Sequence, residues 1–150
     1  MNVGYQWKSY ENELTATGVK RDKNKDTWIA ATSVTYKPFE TTNLSLNITR
    51  ALRDTAADTN EYFEDTAVGL SLKQTILRKL VLSIGGMYSK NEYNTNHRTD
   101  DNYSANGGLE YNIQEWMSIG VGYNYKQKFS NFKDNEYTDN QFVASLKLVY

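Results

Sequence analysis

Side chains able to do acid–base or metal chemistry are scarce in this chain. There is one histidine, His97, in a polar stretch, and there is no cysteine. A lone imidazole lacks the nucleophile and carboxylate of a hydrolytic triad and the companion ligands of a zinc site. No catalytic residue, cofactor or resident metal is therefore expected, and the chain reads as a non-enzyme. Gly120-Val121-Gly122 is followed by no helical segment, so it reads as strand glycine and not as a phosphate loop. Asn43-Leu44-Ser45, Asn47-Ile48-Thr49 and Asn102-Tyr103-Ser104 match glycosylation acceptors, but they sit inside alternating segments and read as accidents of composition. Asp100 and Asp101, or Asp134, Glu136 and Asp139, have the oxygen chemistry to hold Ca²⁺ or to bridge lipopolysaccharide through divalent ions. Solvated loops rich in Asp and Asn are the plainer explanation.

A second set of charges is more telling because each member alternates with an apolar neighbour. Lys8, Lys37, Arg53, Asp65, Lys73, Glu110, Lys126 and Lys147 fall on the polar side of seven of the eight alternating segments. If that side lines a wide pore, these groups select ions or sugars. If it lines a closed eight-stranded interior, they form an internal salt-bridge and hydrogen-bond network, since an unpaired buried charge is costly.

The segments that carry these charges have a period of two, the signature of strands. The expected strands run from about Asn2 to Tyr10, Asp26 to Lys37, Thr42 to Arg53 and Tyr62 to Gln74. The second four run from about Lys79 to Asn91, Asn102 to Asn112, Trp116 to Lys128 and Asn140 to Tyr150. In the third, Leu44, Leu46 and Ile48 alternate with Ser45, Asn47 and Thr49; in the seventh, Ile119, Val121 and Tyr123 alternate with Gly120, Gly122 and Asn124. No segment of comparable length has a helical period. Leu82-Ser83-Ile84-Gly85 aligns with Met117-Ser118-Ile119-Gly120, and Tyr88 then matches Tyr123, a hairpin repeat of about 37 residues.

The connections alternate in length. Long polar ones are expected near Glu11–Lys25, Asp54–Glu61, Glu92–Asp101 and Phe129–Asp139. Short ones are expected near Pro38–Thr41, Thr75–Arg78 and Ile113–Glu115, with Pro38 in its turn. Long loops at one end and tight turns at the other are the build of outer-membrane barrels, with the loops extracellular and the turns periplasmic.

Composition agrees with that class. The chain has 150 residues and 17.3 kDa, one domain over 1–150, with a mean hydropathy of −0.73 and a net charge of −1. No apolar run approaches the roughly 20 residues of a spanning helix, and no basic excess points to nucleic acid. Aromatic residues make up 13% of the chain, twelve of them Tyr, against one Pro; a disordered chain would be poor in them. Met1 leads directly into Asn2-Val3-Gly4-Tyr5, so the chain reads as mature, engineered, a fragment, or cytosolic.

Aromatic spacing decides which face meets lipid. Trp28 and Tyr36, Tyr103 and Tyr111, Met117 and Tyr125, and Phe142 and Tyr150 each stand eight residues apart. At about 3.3 Å per residue and a tilt of about 40° this spans roughly 20 Å, close to the apolar band between two interfacial girdles. Tyr and Trp suit such girdles because an apolar ring carries a polar tip. The expected girdle is Trp7, Trp28, Tyr36, Tyr88, Tyr103, Tyr111, Trp116, Tyr125, Phe142 and Tyr150. Arg50 breaks the pattern beside Ile48, and either snorkels to the outer interface or marks a bulge. The alternative class is a soluble up-and-down barrel that binds a small apolar ligand in a cavity lined by Leu46, Leu70, Ile84 and Val121.

Thr49-Arg50-Ala51-Leu52-Arg53-Asp54-Thr55 and Arg98-Thr99-Asp100-Asp101-Asn102-Tyr103 resemble the putative β-barrel porin type 2 family. So do Gly122-Tyr123-Asn124-Tyr125 through Phe129-Ser130-Asn131, and Tyr137-Thr138-Asp139-Asn140. The resemblance covers most of the chain and corresponds to the C-terminal part of that family. It implies an outer-membrane β-barrel in bacteria, found with exopolysaccharide biosynthesis and export systems. Family barrels are larger than eight strands, so the resemblance implies a piece of a wider barrel, or a shortened or engineered chain that closes alone with a narrow or occluded pore. Phe142, Leu146, Leu148 and Tyr150 resemble the aromatic-ended last strand that such barrels present to their insertion machinery.

The expected fold is thus all-β, an antiparallel up-and-down transmembrane barrel of eight strands in four hairpins. The expected function is porin-like, with polysaccharide export components, lipopolysaccharide and outer-membrane lipid as partners.

Overall fold

The computed structural model describes residues 2–9, 24–54, 62–93 and 97–149. They form one antiparallel sheet with its strands in chain order: β1 (Asn2–Ser9), β2 (Asn24–Phe39), β3 (Thr42–Asp54), β4 (Tyr62–Ile76), β5 (Leu80–Tyr93), β6 (Thr99–Gln114), β7 (Met117–Ser130) and β8 (Tyr137–Leu148). All eight expected strands are present. They run two or three residues longer at several ends than the apolar alternation suggests, because the ladder continues past the last apolar residue.

The register keeps the two faces separate across the sheet. Val34, Leu46, Leu70, Gly86, Ala105 and Tyr125 are successive partners, as are Ser33, Asn47, Gly69 and Met87. A slip by one residue would turn every leucine over, so the pattern pins the pairing. The pairing shifts at two places, between Tyr36 and Phe39 and between Asn112 and Gln114. Pro38 lies in the first of these, inside the end of β2 and not in the turn; a bulge needs no donor from it. Leu77 and Arg78 have φ of 51° and 61°, left-handed residues within the three-residue loop between the paired Ile76 and Leu80.

The strands are staggered. One ladder runs through Asn2, Ala31, Thr49, Ala67, Ser89, Asn102, Lys128 and Tyr137. Thr49 stands eight residues beyond Thr41, Ser89 eleven beyond Arg78, and Lys128 twelve beyond Trp116. The ladder therefore climbs about one residue per strand, roughly 3.3 Å for every 4.8 Å of sheet, a tilt of about 35°. That is the tilt of strands in barrels.

The expected closure is not made. β1 pairs with β2 and β8 with β7, and among the described residues both edges are otherwise unpaired. A closed eight-stranded interior is one that side chains fill, whereas the polar face here keeps open hollows of about 400 and 340 Å³.

Candidate functional site

Beside an apolar depression of about 470 Å³ over Leu82, Ile84, Leu109 and Val121 on the other face, the polar face holds a hollow of about 400 Å³. It is lined by Arg53 of β3, Asp65 of β4, Ser89 of β5, Asn102 of β6, Lys126 of β7 and Tyr137 of β8, among others. In a flat sheet β3 and β8 would be roughly 24 Å apart. Six strands reach one hollow because the polar face is the concave one. The second hollow continues along this face, past Asn47, Ser71, Gly85 and Asn106. Gly85 lines it and leaves room for Asn106, since a Cβ there would lie 2.6 Å from Asn106 Oδ1; Gly120, equivalent in the hairpin repeat, leaves room for Ser145 in the same way, its Cβ falling 2.8 Å from Ser145 Oγ.

Two of the eight predicted inward charges are paired with each other and a third finds a rim partner. Arg53 Nε lies 2.6 Å from Asp65, and Lys8 Nζ lies 2.6 Å from Asp54. Lys37, Lys73, Glu110, Lys126 and Lys147 make no ion pair among the described residues. The concave face therefore holds charge without joining it into one network.

The tightest cluster is at the long-loop end, beyond the last aromatic row of β6. Asp100 is wholly buried. Its carboxylate takes two hydrogen bonds from Arg98, that from Nε being 2.8 Å, with Lys128 Nζ at 2.8 Å and Ser130 Oγ at 2.6 Å. Burial pushes the Asp100 pKa up, but the Arg98, Lys128 and Ser130 hydrogen bonds outweigh it and hold the carboxyl down at about 2. Arg98 also lies over the Tyr93 ring at 4.5 Å. Asn131 ties the neighbouring loops: its Oδ1 accepts from Thr99 N at 2.9 Å, and its Nδ2 donates to His97 O at 2.9 Å. His97 itself is exposed. Asp101 takes the opposite face of the strand and accepts from Tyr88 Oη at 2.6 Å, so the two adjacent acids do not converge on one ligand.

The convex face is apolar through its middle and polar at the rim. Tyrosine hydroxyls on it point to polar partners: Tyr88 to Asp101, Tyr123 to Asn140 at 2.6 Å, Tyr125 to Gln127 at 2.8 Å, and Tyr5 to Asp26. Tyr88 packs on Tyr103 and Tyr123 on Phe142, with centroids 5.1 and 4.8 Å apart. Trp7 and Trp28 lie on this face near the long-loop end; Tyr36, Tyr111 and Trp116 lie toward the short turns. Phe142, Leu146 and Leu148 follow one another on the same side of β8, while Tyr150 lies outside the described residues.

Arg50 stays on this face with no bulge, between Ala30 and Thr66. Glu64 pairs with it, Thr66 Oγ1 accepts at 2.8 Å, and its guanidinium sits 4.8 Å over the Trp28 ring. Leu46, Leu70, Ile84 and Val121 lie on the convex face, 37% to 63% exposed.

Sequence reasoning missed Phe63, Met87, Tyr93, Lys128 and Tyr137 as members of the concave face. Continuing the alternation past the last apolar residue of each strand would have found four of them, and Met87 falls on the polar side within the alternation of β5 itself.

The family model for putative beta-barrel porin 2 matches residues 1–150, the whole chain. No curated protein and no solved structure matches it. Eight tilted, two-faced strands in a meander, matched from end to end, make this chain a member of the putative beta-barrel porin 2 family.

Proposed function

We propose that the chain forms the wall of a porin-like, non-enzymatic barrel in the bacterial outer membrane, as one domain over 1–150. The convex face meets lipid and lipopolysaccharide, and the concave face lines the lumen. The observation that carries this reading is the sense of curvature. A soluble ligand-binding barrel encloses its apolar side chains, whereas here the hollow that six strands share lies on the face of Asn, Ser, Lys and Asp, and the apolar depression of about 470 Å³ over Leu82, Ile84 and Val121 is more open to solvent. Tyrosine rings whose hydroxyls reach toward the rim add support, because that is how an aromatic girdle meets headgroups.

Lys8, Lys37, Arg53, Asp65, Lys73, Glu110, Lys126 and Lys147 are the lumen-lining charges in this reading and set what passes. Phe142, Leu146, Leu148 and Tyr150 are the signal read by the insertion machinery. The cargo proposed is exopolysaccharide delivered by export components, as the family resemblance implies. Eight strands closed alone would leave only a narrow or occluded pore.

The test is gel mobility after refolding into detergent micelles, compared between unheated and boiled samples. A heat-dependent shift is expected. A soluble monomer in plain buffer, with no shift, would replace this reading with the ligand-binding barrel.

A further inference from the structure

The hollow of about 400 Å³ on the concave face has short side chains at its centre and long ones on either side. Ser89 of β5 and Asn102 of β6 lie in the middle. Arg53, Phe63 and Asp65 stand on one side, from β3 and β4, and Lys126 and Tyr137 on the other, from β7 and β8. The hollow is made between β3 and β8, so it does not depend on what pairs with the outer edges of the sheet.

Each side offers a ring and a cation. Phe63 is the direct ladder partner of Arg53, and Tyr137 is the partner of Lys128, two residues from Lys126. The Phe63 ring is held by Tyr93, with centroids 5.0 Å apart, and Tyr93 in turn lies under the Arg98 guanidinium. The Tyr137 ring is exposed. Arg53 uses Nε on Asp65, at 2.6 Å, which leaves its terminal nitrogens for another acceptor. Lys126 makes no ion pair among the described residues, although Asp139 is its ladder partner in β8. The lining thus carries two cations against one carboxylate that is already engaged.

These groups match one class of solute. The C–H hydrogens on the face of a pyranose are polarised by neighbouring oxygens, and the negative face of an aromatic ring attracts them. Sugar hydroxyls suit side-chain amides, which both donate and accept, and Asn91 and Asn102 line the hollow. A carboxylate suits a guanidinium or an ammonium. The second hollow has the amides of Asn47 and Asn106 but neither an aromatic ring nor a charged side chain, so it holds such a solute less firmly.

We propose that the first hollow is a binding station for acidic sugars, taking a short run of hexuronate units with rings on Phe63 and Tyr137 and carboxylates on Arg53 and Lys126. This rests on the reading of the concave face as the lumen, and it narrows the cargo of that lumen to a charged class.

Trigalacturonate, its methyl ester and tricarballylate separate the contributions of charge and ring. Each is titrated calorimetrically, at low salt, into the unsubstituted chain refolded in micelles. Hydrogen bonds to a charged partner are the stronger kind, so the acid sugar is expected to bind about tenfold more tightly than its ester. Tricarballylate, which has carboxylates but no ring, is expected to bind more weakly than the acid sugar. Equal binding of acid and ester, or of acid sugar and tricarballylate, would overturn the proposal without recourse to any variant. Lys126→Gln should narrow the gap between acid and ester, and Phe63→Leu should weaken both alike. Lys90→Gln, on the convex face, should alter neither; if it narrows the gap as much as Lys126→Gln does, the attraction is diffuse and the proposal falls. A heat-modifiable chain that binds none of the three defeats only the station. A chain with no heat-modifiable form defeats the lumen reading and the station with it.

Discussion

Adjacent residues on the two faces of this sheet meet opposite conditions. Asp100 and Asp101 are neighbours in β6, yet one is wholly buried among two cations and a hydroxyl, and the other accepts from a tyrosine on the convex side. Leu46 and Asn47 are neighbours in β3 and belong to the apolar band and to the concave wall. The concave face stores polar and charged groups, some tightly matched and some not. On the convex face charged side chains stand toward the rim with a partner, as with Arg50 and Glu64. Identical backbone geometry thus serves two solvents, and the period of two alone assigns each side chain to one of them.

The sharpest test of this contrast is Asp100→Asn. It leaves Arg98 and Lys128, both largely buried, facing a neutral amide. Breaking a buried pair from one side costs about 3–5 kcal/mol, so urea unfolding in micelles near neutral pH should show a loss of that order. The same carboxyl also predicts the acid response. Its folded pKa is depressed to about 2, below the ordinary value of 3.8. Its contribution is therefore complete above about pH 4 and is lost as the pH falls toward 2. The Asp100→Asn variant should lose less stability than the parent over that interval; an equal loss would mean that the cluster does not hold the rim.

The next test compares the faces directly. Leu46→Arg puts a cation in the middle of the apolar band, where the cost is about 2–4 kcal/mol in a bilayer. Asn47→Arg, one residue on, projects into the lumen and should change stability by less than about 1 kcal/mol. Refolding yield and unfolding in lipid vesicles would report both. Equal sensitivity at the two positions would abolish the assignment of inside and outside.

Much of this was legible in the sequence, because alternation is a local property. Leu44, Leu46 and Ile48 against Ser45, Asn47 and Thr49 define a strand and its faces without knowledge of any neighbour, and all eight strands follow in the same way. What depends on long-range geometry was not legible. Pro38 suits a turn by type, but the bulge before Phe39 lets it remain in β2. Arg50 is anomalous in isolation and becomes ordinary once Glu64 and Trp28 are brought beside it by pairing. Asp100 reads as one acid of a solvated loop, since only the assembled rim places Arg98, Lys128 and Ser130 around it. Closure is the clearest case. Whether an edge strand pairs is decided by what lies opposite it, and nothing in β1 or β8 read singly carries that information.

The smallest predicted effect probes whether the convex tyrosines contribute through their hydroxyls or their rings. Tyr88 packs on Tyr103 and donates to Asp101 at 2.6 Å. Tyr88→Phe keeps the ring and removes the donor. One hydrogen bond contributes about 0.5–1.5 kcal/mol net, more when its acceptor is charged. Asp101 would then rely on water at the rim, so a loss near 1 kcal/mol is expected in micelles. In lipid vesicles the direction of any further change is informative. If headgroups hydrate Asp101 as well as detergent does, the loss is the same in both media. If the phenol anchors the strand at the interface, the variant loses more in lipid than in micelles, because the ring then lacks the polar tip that fixes its depth. No loss in either medium would mean that the rings alone make the girdle, and would leave the apolar band without a chemically defined upper edge at this strand.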